Sequence, residues 1–224
     1  MKLVMKPLSL ACALALGLVF SATAPTAAFA EPAQSAATAH QATTQTAPKL
    51  HATLRALWHG HLVATHDYAL AVHAGNQAHE KSATDAVIAN AKDIANAVAG
   101  FYGKDAGDGL LKLLAGHWGG VKTLTDSAKS GNAAGETKAL EESLTNAADI
   151  AKFLAGANPN WTEGALDGAL AMHVNDHKLQ VDQMMSNAPA AEQEKSWADM
   201  QKHMDMIADV LADGIAKQFP DKAN

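Results

Sequence analysis

The sequence predicts an all-α protein, a bundle of about six helices. Three observations carry that expectation. From Lys49 onward apolar residues recur at intervals of three and four, as in Leu50, Leu54, Leu57, His61, Thr65, Tyr68 and Val72. The same stretches are rich in alanine, the best helix former. No segment sustains the period-two alternation or the β-branched runs of a strand.

The helices are expected near residues 49–75, 83–100, 106–129, 134–155, 162–186 and 190–218. Punctuation separates them at Gly75-Asn76, Gly103, Gly131-Asn132, Asn158-Pro159-Asn160 and Asn187-Ala188-Pro189. Shifting the chain against itself by 56 residues superposes His61 on His117, Gly75-Asn76 on Gly131-Asn132, Asp93-Ile94-Ala95 on Asp149-Ile150-Ala151, and Gly100 on Gly156. A second shift carries His117 to His173. A third copy gains four residues near Ala188–Lys195 and then places Ala208-Asp209-Val210 opposite Lys92-Asp93-Ile94. The expectation is three αα-hairpins of about 56 residues, longer than tetratricopeptide, HEAT or armadillo units. They would form either one closed bundle or a four-helix bundle with a flanking pair.

Ahead of this domain, expected over 49–220, lie two segments of another kind. Residues 1–30 hold Lys2 and Lys6, an apolar run from Leu8 to Phe20, and small residues ending in Ala28-Phe29-Ala30. That is the layout of a secretory signal peptide cleaved before Glu31, and the run is too short for a bilayer-spanning helix, which takes roughly 20 residues. Residues 31–48 carry Ala, Thr, Gln and Pro without a large apolar side chain and read as a disordered linker. The expected location is periplasmic or secreted, with no stable membrane span in the mature form. Cys12, the lone cysteine, would leave with the signal, so stability must come from burial and not from a disulfide.

Loss of Lys2 and Lys6 leaves 15 basic against 23 acidic residues. That surface repels phosphate backbones and excludes nucleic acid as a partner. No His-Glu-x-x-His, Gly-x-Ser-x-Gly or Gly-rich phosphate loop is present, nor the paired Glu-x-x-His of ferritin-like bundles. No catalytic residue is assigned and no enzyme is expected.

Eleven histidines stand in the chain. His61, His117 and His173 each fall on the apolar face of an odd-numbered helix at the same repeat position, and His203 lies on the apolar face of the last helix. His177 follows His173 at i+4, a spacing that lets two imidazoles of one face chelate a single ion. Buried imidazoles need a hydrogen-bond partner or a metal, and inward ligands on facing helices are how bundles build metal sites. The expected partner is therefore a copper or zinc ion held by His61, His117, His173, His177 and His203. Six methionines, Met172, Met184, Met185, Met200, Met204 and Met206, follow in the last third, and soft thioethers beside imidazoles favour copper. The competing expectation is a structural or stress-related helical protein whose histidines are each capped by an acid or a carbonyl. Ring nitrogens close together and without protein partners would separate the two.

Three further readings attach to these residues. Asp93, Asp149 and Asp209 are candidates for acceptors that orient the site histidines. His59, His66 and His73, spaced by seven, form a stripe expected to face solvent and gain charge below about pH 6.5. Trp58, Trp118 and Tyr68 are expected to fill core.

Leu57-Trp58 followed by His61, the inner His117 and His173, and the closing Gly214-Ile215 with Gln218-Phe219-Pro220 resemble a family of small bacterial helical proteins with an L-W-x-x-H start and a G-I-x-x-Q-F-P end. The likeness spans about residues 50–222. It implies the helical fold and the histidine positions, and no activity. Family members often carry Glu immediately before these histidines, where this chain has Gly60, Gly116 and Met172.

Overall fold

The computed structural model describes residues 46–223. The expected signal peptide, and the expected linker up to residue 45, lie outside the described residues. The final linker residues belong to the folded body, for Ala47 is buried and Pro48 opens the first helix.

Seven helices follow in order: α1 Pro48–Ala74, α2 Gln77–Tyr102, α3 Lys104–Ser130, α4 Ala133–Ala157, α5 Glu163–Met185, α6 Ala190–Gln218 and α7 Pro220–Ala223. No strand occurs among the described residues. Helices α2, α3 and α4 run longer than the apolar periodicity alone predicts. Helix α2 starts six residues ahead of the expected 83 because Asn76 caps it, its side-chain oxygen accepting from the His79 N–H. Asn132 caps α4 in the same way from the Gly135 N–H. Preceding each cap, Gly75 and Gly131 adopt left-handed backbone, φ 67° and 68°, which ends α1 and α3 at no steric cost. The N–H groups of Gly75 and Asn76 return to Val72 and Ala71, so that the last carbonyls of α1 are satisfied.

Of the two expected packings, the described residues form the closed bundle. Each helix from α1 to α5 packs on the next, α6 packs on α5 and returns to α1, and the odd helices α1, α3 and α5 also meet one another. The odd helices thus line the axis while α2, α4 and α6 fill the outer grooves between them. A side chain on the inner face of an odd helix therefore points at the same axis as its counterparts on the other two.

Hairpins α1–α2 and α3–α4 share detail at the 56-residue offset. Asn90 donates to the Leu57 carbonyl at 2.9 Å, and Asn146 donates to the Leu113 carbonyl at 3.1 Å. A Cβ at Gly60 would fall 2.8 Å from the Asn90 amide, and one at Gly116 would fall 2.9 Å from the Asn146 amide. Glycine just before these two histidines is what lets the asparagine of the outer helix reach an inner-helix carbonyl.

The main apolar cluster draws Leu54, Trp58, Leu62, Ile94, Leu110, Ile150, Leu166, Met204 and Ile215 from six helices. The chain's final segment locks one end. The Trp161 indole donates to the Val210 carbonyl, Gln218 bonds both the Tyr102 hydroxyl and the Ala157 carbonyl, and Phe219 packs against Phe101 and Tyr102. The α1–α6 seam closes through ion pairs. His51 is 3 % exposed and binds Asp209 at 2.8 Å and Asp213 at 3.1 Å, while Arg55 takes the second oxygen of Asp209. The Asp209 carboxyl is held below its ordinary range, first by the Arg55 hydrogen bond.

Candidate metal centre

Four histidines meet on the bundle axis. His61 comes from α1, His117 from α3, and His173 and His177 from successive turns of α5. Each offers one ring nitrogen such that all four lie within 4.8 Å of one another. Ring centroids are 5.7 Å apart for His61–His117, 5.6 Å for His61–His173, His61–His177 and His117–His173, 5.7 Å for His117–His177, and 4.4 Å for His173–His177. Five separations of 5.6–5.7 Å and one of 4.4 Å describe a compressed tetrahedral array rather than a row. This is the only such group of metal-ligating residues among the described residues.

The i, i+4 pair is the tightest contact, with His173 Nε2 and His177 Nε2 3.1 Å apart. Tetrahedral zinc–imidazole bonds of 2.0–2.1 Å place ligand nitrogens about 3.3–3.4 Å from each other, so that pair already stands at bonding separation. The other rings need to draw inward by an ångström or so. A cavity of about 20 Å³, roughly one water in size, lies against His61, His117 and His173 and is otherwise walled by Trp58, Leu114, Ala147, Ile150 and Leu170.

Hydrogen bonding leaves these rings unpaid. His61 Nε2, both nitrogens of His117 and His173 Nδ1 are buried without a protein partner. Each such atom costs about 1–3 kcal/mol of desolvation, and a group of this kind in one core calls for a ligand that accepts lone pairs. The rings are also neutral at neutral pH, the form that binds metal. Burial pushes His61 down to about 3, with the neighbouring His117 adding to the shift, and pushes His117 down to about 4. Burial, followed by the adjoining imidazoles, holds His173 and His177 well below the usual range.

The sign of the pH dependence follows. Unfolded histidine takes a proton near 6.5, whereas folded His61 and His117 resist protonation until about 3 and 4. The unfolded chain therefore binds more protons throughout that interval. Stability of the metal-free protein is complete above about pH 6.5 and is lost as pH falls, at roughly 1 kcal/mol per pH unit for each such histidine. Melting curves between pH 7 and 4.5 should show a falling midpoint, with a shallower fall in His61→Leu. An equal fall in both would remove His61 from this account.

His203 does not join the four. Its ring donates from Nδ1 to Asp176 Oδ2 at 2.7 Å across the α5–α6 seam, so a carboxylate caps it as the competing expectation describes. The reason lies in helix placement, since α1, α3 and α5 pack on one another while His203 sits at the seam between α5 and α6. The three aspartates expected to orient the site do not do so either. Asp93 and Asp149 are exposed, and Asp209 serves His51 and Arg55. The stripe on α1 is only partly solvated. His59 is exposed, but His66 stacks on Trp197 at 4.6 Å with its basicity lowered by burial, and His73 buries an unpartnered Nδ1. Trp58 and Tyr68 fill core as expected, although the Trp58 indole N–H beside the histidines has no acceptor.

Sequence reasoning missed the His51 clasp and the Asp176 partner of His203. The first had a readable signal: His51 and Arg55 stand at i, i+4 on α1, as do Asp209 and Asp213 on α6. A hydrogen-bond-donor pair and an acidic pair of equal spacing suit adjoining helix faces.

The fold and site together define a class, an all-α bundle with a buried four-histidine cluster on its axis. Compared with protein-family models, curated proteins and solved structures, the chain shows no match. No helix among the described residues is long and apolar enough to cross a membrane.

Proposed function

We propose that this protein binds one transition-metal ion through His61, His117, His173 and His177, without catalysis, for storage, delivery or tolerance of the metal outside the cytoplasm. The observation that carries this reading is the convergence of four buried, neutral imidazoles, three of which leave ring nitrogens unpartnered. Export rests on the N-terminal layout alone: basic start, thirteen-residue apolar run and Ala28-Phe29-Ala30.

An all-imidazole set accepts copper or zinc, and charge favours copper. The group contains no carboxylate, so a divalent ion would leave two uncompensated positive charges in an apolar core, at high desolvation cost. Cu(I) leaves one and takes tetrahedral geometry without strain.

Titration of the purified chain lacking residues 1–30 tests the proposal, with Cu(I) under anaerobic conditions and with Zn(II). One equivalent should bind per chain at the four-histidine group at micromolar protein, and His173→Ala, which breaks the i, i+4 pair, should lose that equivalent. No uptake of either ion ends the reading. A periplasmic or secreted form beginning at Glu31, read by N-terminal sequencing, is the expected outcome for export.

A further inference from the structure

A second cluster of soft donors lies on the outer face of the α5–α6 seam. Met172, Met206 and His203 line one open, largely apolar groove of about 420 Å³, floored by Gly168 and Ala169. Exposed methionine is unusual in a protein that buries Met184, Met200 and Met204, yet Met172 is 56 % exposed and Met206 52 % exposed.

The Asp176–His203 bond fixes how these residues meet. Helices α5 and α6 are joined by a short loop and pack against each other, so they run antiparallel. With Asp176 opposite His203, the preceding turn of α5, at Met172, comes beside the following turn of α6, at Met206. On α6 itself His203 and Met206 are neighbours at i, i+3. The hydrogen bond to Asp176 occupies His203 Nδ1 and fixes the ring. Among the described residues Nε2 makes no hydrogen bond, in the carboxylate–histidine arrangement that orients metal ligands. His203 is more than nine-tenths buried but lines the groove.

We propose that Met172, Met206 and His203 form a second, surface-accessible site for a soft monovalent ion, Cu(I) or its analogue Ag(I). Two thioethers and one imidazole are neutral, polarisable donors that select Cu(I) over zinc and other divalent ions. The site is separate from the four-histidine group, which binds from the axis and uses nitrogen only. Met172 and His173 are consecutive, about 100° apart around α5, so the two sites share one turn and face different directions.

The full mature chain, labelled with 13C at the methionine methyl groups, is titrated with Ag(I). The Met172 and Met206 methyl resonances should shift at the first equivalents while those of buried Met184 and Met200 stay. In Met172→Leu/Met206→Leu the total bound Ag(I) should fall by one equivalent, with Zn(II) uptake at the histidine group unchanged. Both substituted positions are exposed, so folding should be preserved. If the double variant binds as much Ag(I) as the parent, or neither exposed methyl moves, the site does not exist. Failure of the four-histidine group would appear instead as absent Zn(II) uptake and a His173→Ala variant identical to the parent, leaving the groove's Ag(I) equivalent in place.

Discussion

Replacing His117 by leucine should raise the stability of the metal-free chain and abolish the proposed metal binding at the four-histidine group. Both nitrogens of His117 are buried without a partner, and the ring lies against Leu114, Ala147 and Ile150 around the small cavity. An apolar side chain of similar volume removes the stranded polar atoms at little packing cost. The expected gain is about 1–3 kcal/mol, or some 2–12 °C in melting temperature at about 2–4 °C per kcal/mol for a domain of this size. Metal affinity should fall by at least about 100-fold, the upper end of the effect of losing even an outer-shell partner. For the parent, saturating metal at 100 times its dissociation constant adds about 2.7 kcal/mol, and the variant should lack that increment. Differential scanning calorimetry with and without metal measures both effects. Opposite signs on stability and binding mark a residue kept for function. A variant destabilised without metal would mean that His117 is part of the scaffold and that its nitrogens are satisfied in solution.

Gly214→Ala should destabilise the protein by about 3 kcal/mol, near the upper end of ordinary overpacking, and lower the melting temperature by roughly 6–12 °C. A Cβ at Gly214 would fall 1.9 Å from Trp161 Nε1 and 2.6 Å from Trp161 Cδ1. The indole cannot swing clear easily, because it is 5 % exposed and donates to the Val210 carbonyl. The damage belongs to the closure of α6 over the α4–α5 corner, far along the bundle from the histidines. Thermal denaturation should register the full loss while metal stoichiometry stays that of the parent. A melting temperature within a degree of the parent would show that Trp161 has room to move.

Comparing Gly214 with Gly60 shows why the terminal motifs read as structure. In Leu57-Trp58-x-x-His61, the Leu57 carbonyl receives Asn90 and Trp58 packs in the core. In Gly214-Ile215 with Gln218-Phe219-Pro220, the glycine admits Trp161, Ile215 is buried, and Gln218 and Phe219 hold Tyr102. Only His61 among these residues points to chemistry.

The all-α class, the helix order and the three equivalent histidines were legible in the chain, because helix formation and amphipathic patterning are local. Leu54, Leu57 and His61 share a face by the pitch of the helix alone, and Gly75-Asn76 ends one helix and caps the next through atoms a few residues apart. The His173–His177 pair is legible for the same reason. Which helices line the axis is not local. Six amphipathic helices bury comparable stripes in several arrangements, and only the packing of α1, α3 and α5 on one another decided that His61, His117, His173 and His177 converge while His203 on α6 turns to Asp176. A hydrogen bond between two single residues on different helices leaves no periodic trace in sequence, so the Asp176 partner of His203 became known only with the tertiary structure. The helices were written locally; the cage was made by where three of them meet.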